Sequence, residues 1–189
     1  MSDRNTVIRS LHDIGLAAWF GGSLAGATGI NGAAADLPDP TQRLKVANAG
    51  WARLTPVNLA AIGAHLIGGA GILQANKGRV AVQEGVGAST VAKLVLTGAA
   101  LAVTAYSRAL GKELEQAEGT PVEGATDPAP ETPPDIAKAQ QQLSLCQWLI
   151  PALTGGLVVL NALHGEQQRP AQQFGGILGK PAKWLRAAA

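Results

Sequence analysis

Between Asp13 and Asp36 the chain carries no charged residue: Ile14 to Ala35 is an uncharged run of 22. Wound as an α-helix at about 1.5 Å per residue, that run is roughly 30 Å long, the hydrocarbon thickness of a bilayer. Its apolarity is light, mostly Ala and Gly, with Leu16, Trp19, Phe20, Leu24 and Ile30 as the large side chains. Ala18, Gly22 and Gly26 recur every four positions, and Gly22 to Gly26 is a GxxxG. In lipid such a row lets a second helix approach backbone to backbone, where close packing replaces the missing hydrophobic drive. The stretch therefore predicts a transmembrane helix packed inside a bundle. Ala64 and Gly68, in the next such stretch, are read as packing positions as well.

Three more stretches have the same character. Leu54 to Asn76 lacks Lys, Arg, Asp and Glu, Gly85 to Ser107 is interrupted only by Lys93, and Ala139 to Gly165 carries no formal charge. The expected spans are about 11–35, 55–75, 87–108 and 143–164, each long enough to cross a bilayer. An Ala-rich soluble bundle would need a polar face on every helix at 3.6 spacing, and the first two stretches have none. The fold class expected is all-α, an integral membrane four-helix bundle. Residues 1–110 would hold the first three helices, 111–138 an acidic Pro-rich loop, 139–166 the fourth helix and 167–189 a basic tail.

Charge and composition narrow the function classes. Charged residues are 15% of the chain, against about 25% in soluble proteins. The formal net charge is +2, and no basic run is interleaved with aromatics, so nucleic acid is not an expected partner. The single cysteine, Cys146, rules out an internal disulfide and any multi-Cys metal site. The opening MSDRNTVIRSLHD has no small-residue cleavage pattern, so an uncleaved first helix is expected. With four spans, the N-terminus, second loop and C-terminus share one side and carry eight Lys and Arg, against six on the other. The positive-inside rule then puts both termini in the cytoplasm of a multi-pass protein of the plasma membrane. Trp51 and Trp148 fall where aromatic anchors would sit at the outer interface. Trp184 lies in the basic tail KPAKWLRAAA, read as an interfacial helix on the inner side or as a solvated end.

The third loop is a different material. It holds Glu113, Glu115, Glu118, Glu123, Asp127, Glu131 and Asp135 beside Pro121, Pro128, Pro130, Pro133 and Pro134. Like charges repel and Pro blocks regular pairing, so the loop is expected to be extended and disordered. Thr132, as N-cap before Pro133 and Pro134, marks the start of the fourth helix, and Pro151 predicts a kink within it.

Ionisable residues inside spans are costly, which makes each a functional candidate. By depth counting, His12, Asp13, Lys93 and His164 gather at the cytoplasmic end of the bundle. They form a candidate proton, ion or metal cluster, with an Asp13–Lys93 ion pair as the plainer reading. His65, near mid-span, is a second candidate: a histidine satisfied by one interhelical hydrogen bond, or a ligand of haem or copper. His12 and His164 lie shallower than His65 and pair more naturally with each other. No cofactor is predicted; haem and copper are the alternatives kept open. The chain contains no GxSxG, P-loop, HExxH or CxxC, and no enzyme activity is expected.

His12, Trp19, Gly21 and Gly22 spell H-x6-W-x-G-G at the head of the first span. This resembles the opening helix of CopD-type copper-resistance membrane proteins and the small four-helix membrane proteins similar to them. The resemblance implies a four-helix membrane architecture and marks His12, Trp19 and Gly22. The function expected from the residues is a non-enzymatic integral membrane protein, an accessory or interaction subunit of a membrane assembly. Its partners would be the lipid bilayer and other proteins, or further copies of itself. The alternative is a small carrier or sensor of a proton, metal ion or haem at the polar cluster.

Overall fold

A computed structural model describes residues 5–82 and 86–166, with side chains given for 5–77 and 87–163. The described residues are all helical, without strands. Helix α1 (Thr6–Ala25) passes through a π-helical turn (Gly26–Ile30) into α2 (Asn31–Ala35) without leaving helical dihedrals. Then follow α3 (Arg43–Val82), α4 (Val86–Glu115) and α5 (Pro134–Glu166), which make four rods with the first. Each rod overruns its uncharged stretch because helix propensity continues where apolarity stops: α3 starts at Arg43 and runs on past Lys77. Pro56 in α3 and Pro151 in α5 both lie inside continuous helix.

Within the helices the hydroxyls bond back to their own backbone. Ser23 donates to the Trp19 carbonyl (2.7 Å), Thr55 to Trp51 (2.8 Å), Thr104 to Ala100 (2.7 Å) and Thr154 to Ile150 (2.8 Å). Such bonds let an otherwise apolar helix carry Ser and Thr without a partner elsewhere. Three helices have the length and apolarity to cross a membrane, α3 over Arg43–Lys77, α4 over Gly87–Glu115 and α5 over Pro134–Leu163; α1 is not among them. Their large apolar side chains point outward: Val57, Leu59, Ile67, Val91, Val95, Leu145 and Val159 are all exposed. These features are compatible with a multi-pass membrane protein.

The rods pair as α1 on α3 and α4 on α5, and α1 joins the pairs by packing on α5. Trp19, fully buried, stands where all four meet, against Ala61 of α3, Ala100 of α4 and Ile150 of α5. Along the α4–α5 seam, Leu110 and Leu114 pack on Ala139, Leu143 and Cys146.

The acidic segment is not the disordered loop expected. Helix α4 runs to Glu115, α5 starts at Pro134, and residues 116–133 fold back as a cap over the end of the bundle. Val122 is buried against Leu44 and Ala117, and Ala125 against Ala34 and Ala47. Arg43 gathers the turn: Nε donates to the Leu37 carbonyl (3.0 Å), Nη1 to those of Val122 (2.9 Å) and Glu123 (3.0 Å). From α5, Gln140 Nε2 donates to the carbonyls of Gly124 (2.9 Å) and Ala125 (3.3 Å). Glu118, Glu123, Asp127 and Glu131 remain exposed, so repulsion among them is relieved by water while the apolar positions face in. Thr132 does not cap α5; its hydroxyl donates to the Pro121 carbonyl (3.1 Å) and accepts from the Ala129 amide (2.9 Å). In the turn before α3, the Thr41 hydroxyl and amide donate to the Asp39 carboxylate and hold its pKa below the ordinary value.

Candidate functional site: a stacked histidine pair

The helices α1 and α3 run antiparallel, and their tightest contact is built on one short motif used twice. His12-Asp13-Ile14-Gly15 on α1 and His65-Leu66-Ile67-Gly68 on α3 both read H-x-I-G. Three residues after His12, Gly15 lies on α3 so closely that a Cβ there would sit 2.5 Å from the Ala61 carbonyl oxygen and 2.5 Å from the His65 nitrogen. Three residues after His65, Gly68 lies on α1 in the same way: its Cβ would strike the His12 nitrogen and stand 2.6 Å from the Ile8 oxygen. Ile8 and Ala61 each precede their histidine by four. The two helices are thus related locally by a two-fold axis.

The imidazoles obey the same symmetry. His12 Nδ1 lies 3.0 Å from the His65 carbonyl oxygen, and His65 Nδ1 lies 3.1 Å from that of His12. A carbonyl only accepts, so each Nδ1 carries a hydrogen and each neutral ring keeps its lone pair at Nε2. The rings stack with centroids 4.1 Å apart and planes 19° from parallel. His65 is buried, and the indole of Trp19 lies tilted beside it at 6.2 Å. Buried at the same helix pair, Trp19 Nε1 and Asn58 Oδ1 have no hydrogen-bond partner. Histidine depth counted from the ends of uncharged runs missed this pairing, since α3 is longer than its run; the repeated H-x-I-G was the signal that carried it.

The other expected members are distributed differently. Asp13 is exposed, and no ion pair joins it to Lys93. Lys93 Nζ instead donates to Asn161 Oδ1 of α5 (3.3 Å). His164 lies in α5 with its side chain outside those described, and Trp184 lies outside the described residues altogether. Among the described residues no three His, Cys, Asp or Glu side chains converge as a metal site requires.

Of the small-residue row, Gly22 and Gly26 face α3, and there they receive side chains in place of backbone. Gly22 takes Asn58 and Gly26 takes the ring of Trp51, while Ala18 is exposed and Ala64 edges a shallow apolar groove with Thr6 and Ile14. Trp51 turns inward from its anchoring place: its indole N–H donates to Asn31 Oδ1 (2.9 Å), and Asn31 Nδ2 donates to Gln147 Oε1 of α5. That buried chain across three helices has no charge to betray it in the sequence. Trp148 is exposed, as an interface anchor would be.

No family model, curated protein or solved structure matches this chain.

Proposed function

We propose that the chain is a non-enzymatic integral membrane protein of four spans, an accessory or interaction subunit of a membrane assembly. The observation that supports it most is the inversion of polarity: Val57, Ile67, Val91, Val95 and Val159 face outward, while His12, His65, Asn31, Gln147 and the Lys93–Asn161 contact are turned onto neighbouring helices. Lipid tolerates that arrangement and water does not. In this reading α1, continued through residues 26–35, is the fourth span, packed against α3 and α5. Both termini lie in the cytoplasm of the plasma membrane, and the acidic cap faces outward. The resemblance of residues 12–22 to CopD-type proteins supports the same four-helix architecture.

Two measurements test this reading. In a Cys146→Ala background, cysteine placed at the exposed Glu131 of the cap should react with an impermeant maleimide on intact cells, and cysteine at Lys180 should react only after lysis. Reaction of both on the same side would break the span count. Gentle solubilisation should bring the chain out as a stoichiometric complex with other membrane proteins or with itself; a monodisperse monomer from native membranes would refute the subunit reading.

A further inference from the structure

The hydrogen bonds between His12 and His65 consume only half of what two imidazoles offer. Each ring donates through Nδ1 to the opposite carbonyl, so each presents Nε2 as a base, and neither Nε2 has a hydrogen-bond partner among the described residues. The local two-fold relates the two hydrogen bonds, while the surroundings differ: His65 is buried beside Trp19, His12 is half-buried with Asp13 next in the chain, and the rings stack with centroids 4.1 Å apart.

We propose that His12 and His65 share one proton between them, held at the Nε2 of one ring or of the other and not at both, and that its occupancy is coupled to the closure of α1 on α3. Of the charged groups around the pair, Arg9 and Asp13 are on α1 and Lys93 is on α4. Helix α3 has no charged side chain between Leu54 and Asn76, and α5 offers the neutral Asn161. A second proton would place two unit charges about 4 Å apart in a poorly polarisable surrounding, where repulsion is several times that in water. The pair therefore saturates at one. Protonation also adds an N–H donor at Nε2 for which the closed contact holds no acceptor, so uptake of the proton loosens the contact that the same rings tie.

This site is independent of the assembly the bundle belongs to, and its test does not use one. Protein carrying His164→Gln, labelled with 15N in its histidine rings and held in nanodiscs of zwitterionic lipid, is titrated by NMR from about pH 8.5 to about pH 4, a range that brackets an ordinary imidazole. Thermal unfolding is followed over the same range. At high pH both rings should report the Nδ1–H tautomer. On acidification both Nε2 resonances should move with one midpoint, their summed amplitude equal to one imidazolium, and the melting temperature should fall across that midpoint. His65→Gln, whose amide can still donate to the His12 carbonyl, should restore a full single-ring amplitude to His12. Two full titrations, or two rings that stay neutral throughout, would overturn the shared site. A titration without any change in melting would overturn its coupling to closure.

Discussion

Adding one methyl group at Gly15 tests the α1–α3 contact most directly. The Cβ of Gly15→Ala would stand 2.5 Å from the Ala61 oxygen and the His65 nitrogen, about 0.9 Å inside the 3.4 Å at which ordinary contact begins. Both obstacles are backbone of a continuous helix, so no rotamer relieves them and the helices must part. A separation of about 1 Å would stretch the reciprocal Nδ1–carbonyl bonds from 3.0 and 3.1 Å to near 4 Å, beyond hydrogen-bond range. Two bonds at about 1 kcal/mol each, with about 1–3 kcal/mol for overpacking, put the loss on the order of 4 kcal/mol. Gly21 is the control, because nothing lies within 4 Å of its Cβ position. Gly21→Ala should be neutral or stabilising by up to about 1 kcal/mol, since Ala is the better helix former. The assay is thermal unfolding in detergent with tryptophan fluorescence as the probe. Equal melting of Gly15→Ala and Gly21→Ala would refute the interlocked contact.

Arg43→Ala should release residues 116–133 from the bundle, because its guanidinium holds the Val122 and Glu123 carbonyls there and ties them to that of Leu37; limited proteolysis should cut the cap far faster than in wild type. Glu123→Gln should leave cleavage unchanged, as its 3.8 Å pairing with Arg43 is mostly solvent-exposed. Double-mutant cycles should give Lys93 a coupling of about 1 kcal/mol with Asn161, its hydrogen-bond partner, and a smaller one with Asp13. A larger coupling to Asp13 would restore the ion pair that depth counting suggests.

The sequence makes the rods legible because length and missing charge are one-dimensional properties. Within the described residues the uncharged stretches are helical, and charged residues that mark their limits, such as Arg53 and Lys77, are carried on the same helix. Small-residue rows were legible as packing faces, but a glycine leaves room without saying for what. Gly22 and Gly26 receive side chains, whereas Gly15 and Gly68 receive backbone. The cap was misjudged because composition averages over positions: Val122, Ala125 and Thr132 each find a partner inside a segment that is on average acidic and Pro-rich. The histidine pair depends on registry between antiparallel helices, which no depth count along one helix supplies.

The antiparallel clasp of α1 and α3 also bears on how such a chain is made. Taken alone, α1 would bring Arg9, His12 and Asp13 into a bilayer within its first turns, and it is not among the helices long and apolar enough to cross one. The helix that covers its imidazole and its close-packed glycines is the next in the chain, joined to it by the seven residues 36–42. Folded on α3, the His12 imidazole and the close-packed glycines of α1 are covered while Arg9 and Asp13 stay exposed, and the apolar outer surface of the two is set by Ile14, Val57, Leu59 and Ile67. Under the membrane reading proposed above, the natural unit of insertion is the hairpin, and the first helix waits for the second before it commits to lipid.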